Sequence, residues 1–247
     1  MKLLSLLPLA LALPLSAQIS KTDSDFVAKT YVPSTALLYA QNDGGDMKMR
    51  CTATAIEKNE KGYVFVTAAH CGCVDDTDES KVTAEKTFFY ITADGEGGKE
   101  FLKAKPIACG YRHAGDDFLL FQVDTKEAFG VIPLGDDPRT MDVVVNVASP
   151  LGLGKQVFVG SVSAAKLDRP VVQDDIDWTN AILLQLFGTD GGSSGSSVVC
   201  LDQKAICAFV VGSIDKTTIT AMPVSRLVKL RKQVADGKYK YWKADEK

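Results

Sequence analysis

Only two histidines, His70 and His113, occur in the 247 residues, so chemistry that needs an imidazole base has few places to reside. His70 closes the run Val64-Phe65-Val66-Thr67-Ala68-Ala69-His70-Cys71, where an apolar strand passes into small residues and ends on the ring. Asp116 and Asp117 precede the bulky run Phe118-Leu119-Leu120-Phe121-Gln122-Val123. Ser193 and Ser194 lie in the glycine-rich stretch Asp190-Gly191-Gly192-Ser193-Ser194-Gly195-Ser196-Ser197-Val198-Val199. A histidine, a carboxylate and a serine are the residue types of nucleophilic catalysis by an activated hydroxyl. Simpler readings compete. His70 beside Cys71-Gly72-Cys73 resembles a metal half-site, but no second paired cluster completes a tetrahedron. The Gly/Ser stretch has the composition of a flexible linker. It also spells Gly-x-Ser-x-Gly over 191–195, a nucleophile elbow built on Ser193, yet that arrangement needs a histidine after the serine and none follows His113.

The elements that must hold these residues are strands. Short apolar runs rich in valine, isoleucine and aromatics recur every ten to twenty residues or so, separated by turn chemistry. They are Thr35 to Tyr39, Cys51 to Glu57, Tyr63 to Thr67, Thr87 to Thr92, Phe118 to Val123, Val143 to Ala148, Val157 to Ala164, Ala181 to Phe187, Ser197 to Cys200, Ala205 to Val211 and Thr218 to Met222. Asn42-Asp43-Gly44-Gly45 and Asp94-Gly95-Glu96-Gly97-Gly98 read as loops, and Gly135-Asp136-Asp137-Pro138 as a linker between two strand-rich halves. Only Pro223 to Ala235 has helical spacing, and residues 18–33 read as polar and irregular. The pattern predicts an all-β protein of two barrels or sandwiches with a closing C-terminal helix. Expected boundaries are 34–135 for the first unit, 141–222 for the second and 223–247 for the helix and tail.

Met1 to Ala17 stands apart: a lysine, an apolar run from Leu3 to Leu15 broken by Pro8 and Pro14, then small residues before Gln18. This is the pattern of a secretory signal peptide over 1–17, implying a secreted or periplasmic protein that is soluble once the signal is removed. The six cysteines then read as disulfides formed in an oxidising compartment, with fifteen pairings open. A net charge of −3, spread along the chain without a run of like charges, offers no nucleic-acid or membrane footprint.

Three segments together resemble trypsin-like serine proteases. Thr67-Ala68-Ala69-His70-Cys71 matches the pentapeptide that carries the family's general base, Asp117 opens a strand as the family's orienting aspartate does, and Ser194 sits in its Gly-x-Ser-Gly turn. The order His, Asp, Ser is that of chymotrypsin-like enzymes. Ala148-Ser149-Pro150-Leu151-Gly152 and Gly160-Ser161-Val162-Ser163 further resemble HtrA-type proteases, so the likeness spans about Thr35 to Leu230. It implies two six-stranded antiparallel β-barrels and a catalytic triad of His70, Asp117 and Ser194. Asp117 is preferred to its neighbour Asp116 because it directly abuts the apolar strand. The amides of Gly192 and Ser194 would bind the oxyanion. Cys51 with Cys71 resembles a disulfide of the animal enzymes. Cys200 and Cys207 flank a short connection between strands, and Cys73 and Cys109 remain as the third pair.

The resemblance also places the substrate pocket at Gly188, with Val211 and Ser213 in its wall. Gly188 supplies no acidic floor, which favours apolar side chains over basic ones. Two departures matter. Too few residues follow Leu230 for the PDZ domain of HtrA enzymes, and Ser193 stands where animal trypsin-like enzymes have an aspartate that pairs with a freshly cut N-terminus. The expected function is a secreted serine endopeptidase acting on proteins or peptides through an acyl-enzyme, with no cofactor and no metal. The alternative is a catalytically silent binding protein on the same fold.

Overall fold

The structure is a computed structural model that describes residues 19–42, 44–74, 82–85, 88–93, 100–167, 171–173, 176–178 and 180–237. The signal peptide expected over 1–17, the loop at 94–98 and the polar tail beyond Gly237 lie outside these residues. Twelve strands form two closed antiparallel barrels. The first holds β1 (Thr35–Gln41), β2 (Met47–Lys58), β3 (Gly62–Thr67), β4 (Phe88–Thr92), β5 (Leu102–Cys109) and β6 (Leu119–Asp124) in the order β1-β2-β3-β6-β5-β4. The second holds β7 (Val143–Ala148), β8 (Gln156–Ala164), β9 (Ile182–Gln185), β10 (Ser197–Cys200), β11 (Ala205–Ser213) and β12 (Thr218–Pro223) in the order β8-β9-β12-β11-β10-β7. Closure pairs each barrel strand with a neighbour on both sides. A helix, Val224–Ala235, follows β12 and packs Val224, Leu227 and Leu230 between the barrels.

Strand alternation explains why so many runs are apolar on both faces. Along β6, Leu119, Phe121 and Val123 point into the first barrel while Leu120 joins Phe118 in a second cluster between the barrels. Along β11, Ala208 and Val210 fill the second barrel, and Phe209 and Val211 turn outward to the same seam. Strands that are buried on both sides lose the apolar–polar alternation of a half-solvated sheet.

Two elements depart from the sequence reading. β5 was not anticipated, because Lys103, Lys105 and Pro106 interrupt its pattern. Its lysines face solvent, and the proline sits at a register shift between Pro106 and Ala108, where a ladder donor is dispensable. Residues 21–34, expected to be irregular, are helical: Lys21–Phe26, a π-helical stretch at Val27–Tyr31 and a short turn at Val32–Ser34. Ser20 caps the start by accepting the Asp23 N–H at 3.1 Å. The π stretch lies just ahead of Pro33, which has no N–H to continue the ladder. Val27 and Tyr31 are buried at 5% and 0% exposure in the seam cluster.

Three disulfides link Cys51 to Cys71, Cys73 to Cys109 and Cys200 to Cys207. The first two pin the segment around His70 to β2 and to the end of β5, and the third staples the β10–β11 hairpin. Phe65 centres the first barrel, stacked 5.5 Å from Phe121 and edge-on to Phe129 at 5.1 Å. Phe65→Ala is therefore expected to cost about 3–5 kcal/mol, seen as a lower denaturation midpoint at unchanged slope. A loss below about 1 kcal/mol would show that this aromatic cluster is not the barrel's packing centre.

Candidate active site

β3 delivers the chain to the inter-barrel seam, where a single turn, Ala69–Cys71, presents His70. Asp117 arrives just ahead of β6 and is fully buried. Its carboxylate accepts the His70 backbone N–H at 2.9 Å and faces His70 Nδ1 at 2.7 Å. An ionised carboxylate only accepts, so Nδ1 must carry the proton and the lone pair resides on Nε2, the tautomer a general base requires. Arg112 Nε lies 3.7 Å from the same carboxylate. Burial alone would push the Asp117 carboxyl up. The charge and hydrogen bonds of His70, with the Arg112 charge, outweigh it and hold the group below the usual carboxylate range.

Asp116 faces elsewhere, accepting Arg226 Nε of the C-terminal helix at 2.7 Å. The two adjacent aspartates thus serve different partners. His113 is half-buried and packs on Tyr111 with ring centroids 5.6 Å apart.

Ser194 reaches the same seam through its backbone. Its carbonyl accepts the Thr52 N–H of β2 at 3.1 Å, and Gly195 N–H bonds the Val210 carbonyl at 2.8 Å. Gly195, at φ 76°, lies so close to Thr67 and Ala68 that a Cβ there would collide with both. The serine turn is therefore pressed against the residues that lead into His70.

The amides expected to bind an oxyanion are set by their carbonyls, because C=O and N–H of a trans peptide point in opposite directions. The Gly191 carbonyl accepts the Leu151 N–H at 2.6 Å, which turns the Gly192 N–H the other way. The Ser193 carbonyl accepts Ser196 Oγ at 2.6 Å and Ser196 N–H at 3.1 Å, which does the same for the Ser194 N–H. Among the described residues neither amide is taken by a backbone carbonyl. Gly192 adopts φ 97°, and its carbonyl is held by Thr52 Oγ1 at 2.8 Å. Leu151 and Thr52 were not singled out from sequence, since both act through backbone or short polar contacts that carry no local signature. Asn146, whose Nδ2 donates to Ser196 Oγ at 2.8 Å, had a signal: it is the one polar residue in the run Val-Val-Val-Asn-Val-Ala.

The expected substrate residues divide. Gly188, at φ 86°, lies against the Phe158 ring, and Ser213 is exposed at the end of β11. The Val211 side chain is 7% exposed and, by strand alternation, turns out of its barrel to pack into the seam. Cys51, His70 and Cys71 gather within 4.8 Å of one another, but both sulfurs are joined in the disulfide and offer no thiolate to a metal.

Two barrels whose seam carries a buried aspartate on a histidine, beside a glycine-bound serine turn, define the chymotrypsin-like class of serine hydrolases. The model of the trypsin-like peptidase domain family matches residues 51–208, and the chain belongs to that family of serine proteases. Among the solved structures that share the fold are two of the Rv3671c protease from M. tuberculosis. The active form is 16% identical with a TM-score of 0.61, covering 85% of this chain and 83% of that one. An inactive mutant form is 14% identical with a TM-score of 0.60, covering 85% and 90%. No curated protein sequence matches the chain.

Asp117→Asn is expected to lower kcat by about 10⁴-fold through the wrong tautomer of His70. Asp116→Asn, which loosens the Arg226 contact, should stay within about tenfold. Equal losses would contradict the division of roles. Because the folded Asp117 carboxyl is held below its unfolded value near 3.9, the stability it contributes is complete above that pH and is lost as pH falls through the lower, folded value. Urea titrations between about pH 2 and 6 should show this acid limb in the parent and a shallower one in Asp117→Asn.

Proposed function

We propose that the chain is an exported endopeptidase that cleaves peptide bonds through an acyl-enzyme on Ser194. The observation that carries the reading is the 2.7 Å contact between His70 Nδ1 and a fully buried Asp117, placed where the Ser194 turn abuts the His70 segment. His70 Nε2 takes the proton of Ser194 Oγ as the hydroxyl adds to the scissile carbonyl. The oxyanion develops towards the amides of Gly192 and Ser194. His70 then returns the proton to the leaving amine, and water enters by the same base to release the acyl group.

Beyond the Ser197–Phe209 pair, β11 no longer faces β10, so its backbone from Val211 to Ser213 is open to an extended peptide added as a strand. Gly188 offers no carboxylate to a basic side chain, which supports apolar residues at the cleavage position. Export is supported by the apolar leader at 1–17 together with the three disulfides, and no helix among the described residues is long and apolar enough to cross a membrane.

A fluorophosphonate probe tests the nucleophile. The full chain should be labelled once, on Ser194, and Ser194→Ala should take up no label. Absence of label on the folded parent, or equal labelling of Ser194→Ala, would sink the reading.

A further inference from the structure

Trypsin-like enzymes of animals order the nucleophile turn with an aspartate at the position of Ser193, a charge this chain lacks. Ser193 instead accepts the Asp190 N–H through Oγ at 3.3 Å, a local bond within the turn. The support that reaches outward runs through a buried chain of neutral groups. Ser196 Oγ holds the Ser193 carbonyl, and Asn146 Nδ2 holds both Ser196 Oγ and the Ser197 carbonyl, the latter at 2.7 Å. The Ser197 carbonyl also accepts the hydroxyl of Tyr31. Tyr31 Oη in turn accepts the Val147 N–H at 3.2 Å and Ser197 Oγ at 3.1 Å, and Thr54 Oγ1 completes Ser197 Oγ at 2.9 Å. Tyr31, Thr54, Asn146, Ser196 and Ser197 are all at 0% exposure. Burial pushes the Tyr31 phenol well above its usual range despite the bonds from Ser197 and Val147, so it remains a protonated donor throughout the working pH range.

Tyr31 lies outside residues 51–208, in the helical segment that precedes the first barrel. We infer that Tyr31 is a positioning residue for catalysis: through Ser197, Asn146 and Ser196 it holds the Ser193 carbonyl, and thereby aims the Ser194 N–H at the oxyanion. This rests on Ser194 being the nucleophile. Apart from Asn146 Oδ1, the named side-chain groups of this buried network are paired, and loss of one member leaves its partners buried and unpaired. Without the Tyr31 hydroxyl the Val147 N–H loses its partner and the Ser197 carbonyl keeps only Asn146. The slack falls on the peptide whose N–H must meet the developing charge.

The test is the kinetics of fluorophosphonate labelling on the full chain, resolved into a maximal rate and a half-saturating concentration. Direct loss of one oxyanion donor costs on the order of 10²- to 10³-fold, and a donor that is misaimed rather than removed should cost about tenfold. Tyr31→Phe is therefore expected to lower the maximal rate about tenfold at an unchanged half-saturating concentration, below its melting temperature. Val27→Ala, which thins the same helical segment without touching the network, should lower the melting temperature and leave the labelling rate intact. Ser196→Ala should reproduce the Tyr31→Phe loss, Ser196→Thr should restore the rate, and the double variant should lose little more than either single one.

A parental rate in folded Tyr31→Phe, an equal loss in Val27→Ala, or multiplicative losses in the double variant would overturn the inference. If Tyr31→Phe does not fold, a parental rate in Ser196→Ala overturns it and a tenfold loss rescued by Ser196→Thr supports it. Failure of the parent itself to label is a different outcome and removes the nucleophile assignment instead.

Discussion

A carboxylate at zero exposure is the constraint around which this molecule is arranged. Asp117 sits among Phe118, Leu120 and the other apolar residues of the seam, and an ionised group there is tolerable only if its charge and lone pairs are met. His70 meets them twice, with a backbone N–H and a ring nitrogen, and Arg112 adds a positive charge from the turn that precedes Asp117. The same bonds that make the buried aspartate affordable fix the orientation and tautomer of the imidazole. Structural necessity and the proposed chemistry are one arrangement. The neighbouring Asp116 uses its charge differently, tying Arg226 and the C-terminal helix back onto the first barrel.

The seam is also where the two barrels become one functional unit. Val66 and Leu120 from the first barrel meet Val145, Val147, Phe209 and Met222 from the second in one apolar cluster. The polar contacts cross at the same level: Thr52 of β2 holds the Gly192 carbonyl, and its N–H takes the Ser194 carbonyl. The serine turn is thus braced by the opposite barrel from the one that carries it. Any slip of one barrel on the other would move the nucleophile relative to the base, and close packing of this cluster resists such a slip.

The helical segment at 21–34 extends this logic beyond the peptidase domain proper. Its apolar residues close the seam from outside, and Tyr31 sends a hydroxyl into a network that ends one peptide from Ser194. Nothing local in Lys-Thr-Asp-Ser-Asp-Phe-Val-Ala-Lys-Thr-Tyr marks a helix strongly: aspartates, threonine and serine are weak helix formers, and Pro33 lies ahead. Tertiary burial of Val27 and Tyr31 stabilises what propensity does not. The reading of this segment as irregular failed for that reason, and Lys103, Lys105 and Pro106 concealed β5 for a related one.

What the sequence determined by itself was the family, the two-barrel all-β architecture and the two distinctive turns around His70 and Ser194. These are written in contiguous residues: small side chains before the histidine, glycines around the serine, and dense β-branched runs between turns. Which of two adjacent aspartates faces His70, which carbonyls aim the Gly192 and Ser194 amides, and that Val211 turns into the core were decided only in three dimensions. Asp117 and the Gly192 amide depend on partners 40 to 50 residues or so away along the chain, and Ser196, which holds the Ser193 carbonyl, is itself braced by Asn146 at a separation of 50; strand register and barrel closure bring these together, and local sequence carries no record of a partner at that distance.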